Sequence, residues 1–230
     1  MRPGLSLSIL VPVYNEEGTA VKALREILDA DIGAEREIIV VDDGSTDGTA
    51  AALAAESWPD NVRFISHPSN RGKGGAIQTG LTAATGTHTA IMDADLEYRP
   101  EDLGKLVAAA SEGHEVVFGT RAFEAHSAHS FWYVIGNRTV THFGNLLFNC
   151  WLSDMMTCHK LIPTELFRSL DLRENGFAIE AEITARLLRR HISIYEVPVA
   201  YQARSHEAGK KLTATDGLRV LRTLIRCRVS

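Results

Sequence analysis

The sequence predicts a single α/β domain with a mostly parallel central sheet and helices on both of its faces. Three observations lead there. Apolar, β-branched runs alternate with segments of helical periodicity through the first 120 residues. The helical segments are 10–15 residues long, the length of crossover connections between parallel strands buried on both faces. Polar, carboxylate-rich stretches stand at the end of one apolar run after another.

The elements follow in order. "LSLSILVPVY" (5–14) reads as the first strand, and "NEEGTAVKALREILDA" follows with Val21, Leu24, Ile27 and Leu28 at helical spacing. "EIIVVDDG" (37–44) is a second strand, leading into the alanine-rich "TAAALAAES". "NVRFISH" (61–67) and "GGAIQTGLTAATG" give a third strand and helix, and "HTAIMDAD" (88–95) a fourth strand. Pro100 falls at the first helical position of "EDLGKLVAAASEG", where its missing N–H costs nothing. "EVVFGTR" (115–121) closes the regular half. Beyond it, "SFWYVIGNRTVTHFGNLLFNCWL" (130–152) is partly helical, "AIEAEITARLLRRH" (178–191) is a helix, and "ISIYEVPVAYQAR" (192–204) alternates as a strand. Pro198 marks that strand as an edge or a bend. The last segment, "DGLRVLRTLIRCRVS", places Leu218, Leu221, Leu224 and Ile225 on one face beside Arg219, Arg222 and Arg226. With no internal repeat, linker or low-complexity tract, residues 1–230 form one domain.

Composition narrows the function. At 45% hydrophobic and 23% charged, the 230 residues are ordinary globular material. The three cysteines form no C-x-x-C pair, which points to a reduced, cytoplasmic protein. No apolar run approaches the roughly 18 residues of a membrane helix, and no signal peptide opens the chain. Net charge is −5 but unevenly placed: residues 1–120 carry 19 acidic and 9 basic side chains, residues 121–230 carry 10 and 15. An acidic half that holds a cation and a basic half that faces an anion would produce this split. No nucleic-acid partner is expected.

Ligands of open parallel sheets bind at the carboxyl ends of the strands. The ends here read "PVYNEE", "DDGSTDGT", "DADLE" and "GTR". Any one of them could be a helix cap and turn; four together indicate a site. Neither nucleotide fingerprint fits, since "YNEEGTA" replaces G-x-G-x-x-G after the first strand and Gly74 follows Gly72-Lys73 where a P-loop needs Ser or Thr. "NRGKGGAIQTG" (70–80) is a glycine-rich turn into a helix with two cations, Arg71 and Lys73. It suits either a phosphate contact or close packing of helix on sheet. Asp93 and Asp95 share a face if the strand runs through them, and with Glu97 they offer an oxygen-only site for Mg2+ or Mn2+, diphosphate oxygens completing the shell. His126 and His129 read as surface histidines, and Cys150 and Cys158 as packing residues. The aromatic stretch from Phe131 to Trp151 reads either as a core helix or as an interfacial one with Trp132, Tyr133 and Trp151 at a lipid boundary.

"VPVYNEE", "VDDGSTDGT", "NRGKGGAIQTG" and "DADLEYRPED" together resemble the inverting family 2 glycosyltransferases of the GT-A fold. "FGTR", "DMMTCHK", "GFAIEAEITARLLRR", "YEVPVAYQAR" and "EAGKKL" resemble the branch of dolichyl-phosphate mannose synthase and its bacterial polyprenyl-phosphate relatives. The resemblance runs from about residue 6 to 225 and implies a nucleotide-sugar and metal half (about 1–120) and an acceptor half (about 121–230). Pro12, Tyr14, Glu16 and Asp43 would hold the base and ribose of a GDP-mannose or UDP-glucose type donor, with Asp42 shaping that pocket and Lys73 near the phosphates. Asp93, Asp95 and by position Glu97 would bind the metal, although many family members carry glutamine at the last of these. Arg121 and Arg138 would meet an acceptor phosphate, while Arg204, Lys210 and Lys211 would close over both phosphate groups. Asp154 stands where members that use hydroxyl acceptors carry a base; a structural or arginine-pairing aspartate is the other reading.

The implied activity is metal-dependent, inverting transfer of a hexose to a polyprenyl phosphate. That reading brings with it a peripheral membrane contact or a membrane-anchoring partner. Two others stand beside it: transfer to a hydroxyl or amine of a soluble acceptor such as a natural-product core, and a catalytically silent nucleotide-sugar-binding subunit of a membrane complex.

Overall fold

The computed structural model describes residues 4–121, 126–127, 131–202 and 214–229, with side chains of 126–127, 131–133 and 214 set aside. The elements run β1 (Ser6–Val13), α1 (Ala20–Asp29), β2 (Glu35–Asp42), α2 (Thr49–Ala54), β3 (Val62–Ser66), α3 (Lys73–Ala83), β4 (His88–Ile91), α4 (Asp102–Glu112) and β5 (Val116–Thr120). The second half adds β6 (His126–Ser127), α5 (Phe131–Phe148), β7 (Lys160–Pro163), α6 (Thr164–Ser169), α7 (Ile179–Arg189), β8 (Ile194–Pro198), β9 (Tyr201–Gln202) and α8 (Ala214–Val229).

Alternation along each strand sorts its side chains between two cores. Ile9, Val11 and Val40 face one side of the sheet and pack on Leu24 and Ile27 of α1 and Leu103 and Leu106 of α4. Their neighbours Leu10, Ile39 and Val41 face the other side, against Ile77 and Leu81 of α3 and Ile179 and Ile183 of α7. Burying each such side chain contributes about 1.5–3 kcal/mol.

The seven-stranded sheet has the order β3-β2-β1-β4-β7-β5-β8. It is the GT-A-like α/β sheet that the sequence predicts, with one strand the periodicity did not show. β7 lies antiparallel between β4 and β5, pairing Ala90 with Leu161 and Phe118 with Lys160. Its four residues are too short to carry a pattern of their own. Because β7 runs backwards, its start lies at the carboxyl ends of its neighbours. The segment Cys158-His159-Lys160 therefore enters the site. Gly119 permits this: a Cβ there would lie 2.9 Å from His159 Cβ and 2.8 Å from Val199 Cγ1.

Three other expectations are corrected. β4 ends at Ile91 and the chain leaves β1 after the Met92 N–H bonds to Leu10 O, so Asp93 and Asp95 sit in the loop rather than on a strand face. Leu96, at φ 61°, turns that loop through the left-handed region. Pro100 precedes α4 by two residues and belongs to the turn in which Leu103 N–H bonds to its carbonyl. On α8 the buried stripe is Val220, Thr223, Leu224 and Cys227, whereas Leu218 and Ile225 are 69% and 48% exposed. Packing against α5 and α7 rotates the helix away from its leucine face. Pro198 does lie on an edge strand, β8. Among the described residues, no helix is long and apolar enough to cross a membrane.

Candidate active site

Strand order reverses between β1 and β4, because β2 and β3 extend to one side of β1 and the later strands to the other. Crevices at the carboxyl ends of such strands are where open sheets bind ligands. The sequence-predicted donor residues gather there. Pro12 pairs with Val41 near the end of β1, with Tyr14 and Glu16 just beyond it. Glu16 Oε2 accepts the Thr19 hydroxyl at 2.6 Å, and the Glu16 N–H donates to Thr49 Oγ1 at 2.9 Å. Asp42 ends β2 and accepts the Ser45 N–H at 3.0 Å, a local side-chain-to-backbone bond that shapes the next loop.

Asp43 does more than the sequence indicates. It is 2% exposed and takes N–H bonds from Arg71 and Gly72 at 2.9 and 2.7 Å, with His67 Nδ1 at 2.6 Å. His67 Nε2 in turn lies 2.9 Å from Thr79 Oγ1. This Asp–His pair pins the glycine-rich loop to β2. The N–H groups of Gly74 and Gly75 both bond to the Asn175 carbonyl, so the amides at the start of α3 serve packing. Gly72 is required by its φ of 85° and by Asn175 O, which a Cβ would meet at 2.4 Å. Of the two alternatives for this loop, close packing therefore claims the backbone.

The candidate metal residues are held apart. Lys73 Nζ is 2.7 Å from Asp93 Oδ2 and 3.1 Å from Cys158 Sγ. Burial alone would lower the Lys73 pKa and raise that of Asp93; their mutual attraction overrides both, keeping ammonium and carboxylate charged. Asp95 Oδ1 accepts the Glu97 N–H at 3.1 Å. Glu97 Oε2 accepts the Tyr201 hydroxyl at 2.6 Å, which draws it toward β9. Among the described residues no trio of His, Cys, Asp or Glu converges on one point. Asp93 and Asp95 remain as a pair of hard oxygen donors. That donor set fits a divalent cation which keeps most of its shell for water and diphosphate oxygens.

A second set of groups lies at the end of β5. Arg121 Nε and an Nη of the same guanidinium donate to Asp154 at 2.6 and 2.8 Å, and Asn137 adds 3.2 Å to Oδ1. Asp154 is 2% exposed. Burial alone would raise its pKa, but the Arg121 guanidinium and these hydrogen bonds hold it below the ordinary carboxylate value. The arginine-pairing reading of Asp154 describes this geometry, and a carboxylate so committed is a poor base. Arg121 also lies 4.9 Å over the Tyr201 ring. Glu97, Tyr201, Arg121 and Asp154 thus form a continuous line from the Asp93–Asp95 loop into the second half. Arg138 is exposed on α5. Arg204, Lys210 and Lys211, and His129, lie outside the described residues.

Several site groups were missed from sequence. Lys160 is fully buried and bonds Glu180 Oε2 at 2.6 Å as well as the Thr157 carbonyl. His159 is also fully buried, with Nε2 3.0 Å from Met92 Sδ and Nδ1 unpartnered. Burial pushes its pKa down to about 4. The signals available were the resemblance carried by "DMMTCHK" and the run of polar residues, "TCHK", entering an apolar strand.

An open α/β sheet with carboxylates at its switch point places a ligand crevice there. Residues 8–170 match the family model for glycosyl transferase family 2, and the chain belongs to that family of glycosyltransferases. Among solved structures it resembles glucosyl-3-phosphoglycerate synthase from Mycobacterium tuberculosis. The complex of that enzyme with uridine diphosphate matches at 22% identity and a TM-score of 0.74, covering 98% of this chain and 80% of the other. Its complex with Mn2+, UDP-glucose and phosphoglyceric acid matches at 21% and 0.73, with 98% and 80% covered. At this identity the likeness establishes the fold.

Proposed function

We propose that this chain transfers a hexose, with inversion, from a nucleotide-diphosphate sugar of the GDP-mannose or UDP-glucose type to a phosphate-bearing acceptor, using Mg2+ or Mn2+. Residues at the ends of β1 and β2 bind the nucleoside, with Pro12, Tyr14, Glu16, Asp42 and Asp43 lining that side. Asp93 and Asp95 hold the cation, which supplies charge compensation for the leaving diphosphate. Arg121 and Arg138 meet the acceptor phosphate.

The observation that carries the acceptor class is the commitment of Asp154 to Arg121 and Asn137. A hydroxyl or amine acceptor needs a group to take its proton. A phosphate oxygen is already anionic at neutral pH and needs none, so polyprenyl phosphate suits the site as it stands. Exposed Leu146, Trp151, Leu218, Ile225 and Val229, near Arg219, Arg222 and Arg228, support contact with a bilayer face in that case. A soluble acceptor has separate support, since the solved relative binds phosphoglyceric acid. Phosphoglyceric acid carries a phosphate too, but the group it offers for glycosylation is a hydroxyl, so this second reading needs a base other than the paired Asp154.

The test is an assay of purified protein with a panel of nucleotide sugars, with and without Mn2+, against polyprenyl phosphate, phosphoglyceric acid and unphosphorylated hydroxyl acceptors. Product with polyprenyl phosphate is expected; product with phosphoglyceric acid instead supports the soluble-acceptor reading and requires a base other than Asp154. Product only with unphosphorylated acceptors overturns the reading. Arg121→Ala is expected to raise the acceptor KM while leaving donor binding unchanged.

A further inference from the structure

Asp93 reaches its candidate metal role already holding a cation. Lys73 Nζ sits 2.7 Å from Asp93 Oδ2 and 3.0 Å from Glu180 Oε1, the latter an ion pair without hydrogen-bond alignment. Glu180 Oε2 is bonded at 2.6 Å to Lys160, which is fully buried and stands over the Phe118 ring. The row Asp93–Lys73–Glu180–Lys160 alternates in sign, and its two anions and two cations cancel. Side-chain exposures along it are 18%, 9%, 3% and 0%.

A divalent cation drawn to Asp93 meets an ammonium on the same carboxylate, and like charges at that range repel strongly where water is scarce. Relief comes when one of the two moves away. Lys160 has no room to move. Lys73 stands at the first position of α3 on a flexible four-carbon stem, at the more exposed end of the row. Its departure strands no buried charge, since Lys160 still neutralises Glu180. A donor diphosphate brings anionic oxygens to this spot when the metal does.

We propose that Lys73 is a built-in counter-ion that occupies Asp93 until metal and diphosphate arrive, then hands the carboxylate to the metal and moves its ammonium to the diphosphate. This rests on the reading of Asp93 and Asp95 as the metal carboxylates. The consequence is cooperative binding: the metal alone takes Asp93 from Lys73 and leaves it only Glu180, whereas metal and nucleotide together exchange one ion pair for another. By linkage, each tightens the other by the same factor.

The experiment titrates Mn2+ into the purified full chain, following free Mn2+ by electron paramagnetic resonance, alone and with saturating UDP or GDP. Wild type is expected to bind Mn2+ roughly tenfold or more tightly with nucleotide, within the 5–150-fold span of such couplings. Lys73→Met is expected to bind Mn2+ alone about fivefold or more tightly than wild type, with a smaller gain from nucleotide. Equal or weaker Mn2+ binding by Lys73→Met overturns the handover. Should that variant fail to fold, reductive methylation of wild type read by mass spectrometry serves instead. Faster modification of Lys73 with Mn2+ alone than in metal-free buffer supports the handover, and an equal or slower rate overturns it. The underlying metal reading fails separately, if wild type binds no Mn2+ with or without nucleotide, or if Asp95→Asn binds it unchanged.

Discussion

The two halves of this molecule organise their charges in opposite ways. In the first half, carboxylates in the loops after β1 and β2 act mostly on their own neighbourhood, Asp42 on Ser45, Asp47 on Thr49 and Glu16 on Thr19, with buried Asp43, which reaches His67 and Arg71, as the exception. In the second half, charges meet partners far along the chain, Arg121 with Asp154 and Lys160 with Glu180, and Lys73 reaches Glu180 across the two halves. Local carboxylate turns are cheap to build and tolerant of change. Distant buried pairs cost desolvation and become damaging when one member is removed. The difference predicts where function can be lost without stability, and where the two fall together.

The largest separation is expected at Asp95. If Asp95 holds the cation as proposed, Asp95→Asn should lower metal-dependent turnover by about a hundredfold or more, because a hard cation would lose a charged ligand. The melting temperature should stay within a few degrees. Undiminished turnover in excess Mn2+ would remove Asp95 from the site.

Asp154 tests the other half. Asp154→Ala leaves the Arg121 guanidinium buried without its carboxylate, a loss of roughly 3–5 kcal/mol. In a chain of this size that is about 10 °C in Tm. If thermal melting shows no loss while kcat collapses, Asp154 is a base after all, and the acceptor side is as separable as the donor side.

His159 gives a pH-dependent version of the contrast. Its folded pKa of about 4 lies below the unfolded value of about 6.5. The unfolded chain therefore binds more protons between these values, and stability rises with pH across that window. His159 in its neutral form contributes nothing to acid sensitivity above about pH 6.5, and stability falls by a few kcal/mol as pH drops toward 4. His159→Phe should flatten this part of the profile in denaturant melts at pH 4.5 and 7; an unchanged slope would assign the acid sensitivity elsewhere.

On α8 one buried and one exposed leucine repeat the contrast, and the exposed one gives the smallest effect. Leu224→Ala, at a fully buried position, should cost about 2–5 kcal/mol. Leu218→Ser, 69% exposed, should change stability by no more than about 0.5 kcal/mol. Liposome co-sedimentation of Leu218→Ser and Trp151→Ser then reports on bilayer contact without a folding defect, and unaltered partition would leave α8 outside any lipid interface.

What could be read from the chain alone follows the same division. Strand and helix identities in the first half are set by local periodicity, and the site carboxylates lie within a few residues of a strand end. "VDDGSTDGT" and "DADLE" therefore announce themselves, because their chemistry and their turn geometry are written in adjacent residues. The α8 face and the role of Glu97 were not legible. Leucine spacing does not say which neighbour a helix packs on, and Tyr201, which holds Glu97, is separated from it by 104 residues. The packing role of the α3 amides depended likewise on Asn175.

By itself, then, the sequence determined a parallel α/β sheet, a donor side rich in carboxylates and a basic second half. Tertiary structure alone decided that β7 enters antiparallel and delivers Lys160 and His159, that Asp154 is bound to Arg121, and that Lys73 holds Asp93. The physical reason is range. Periodicity and capping act over a turn or two of chain, while buried charges are settled by whichever opposite charge the fold brings within about 3 Å, however far away it lies in sequence.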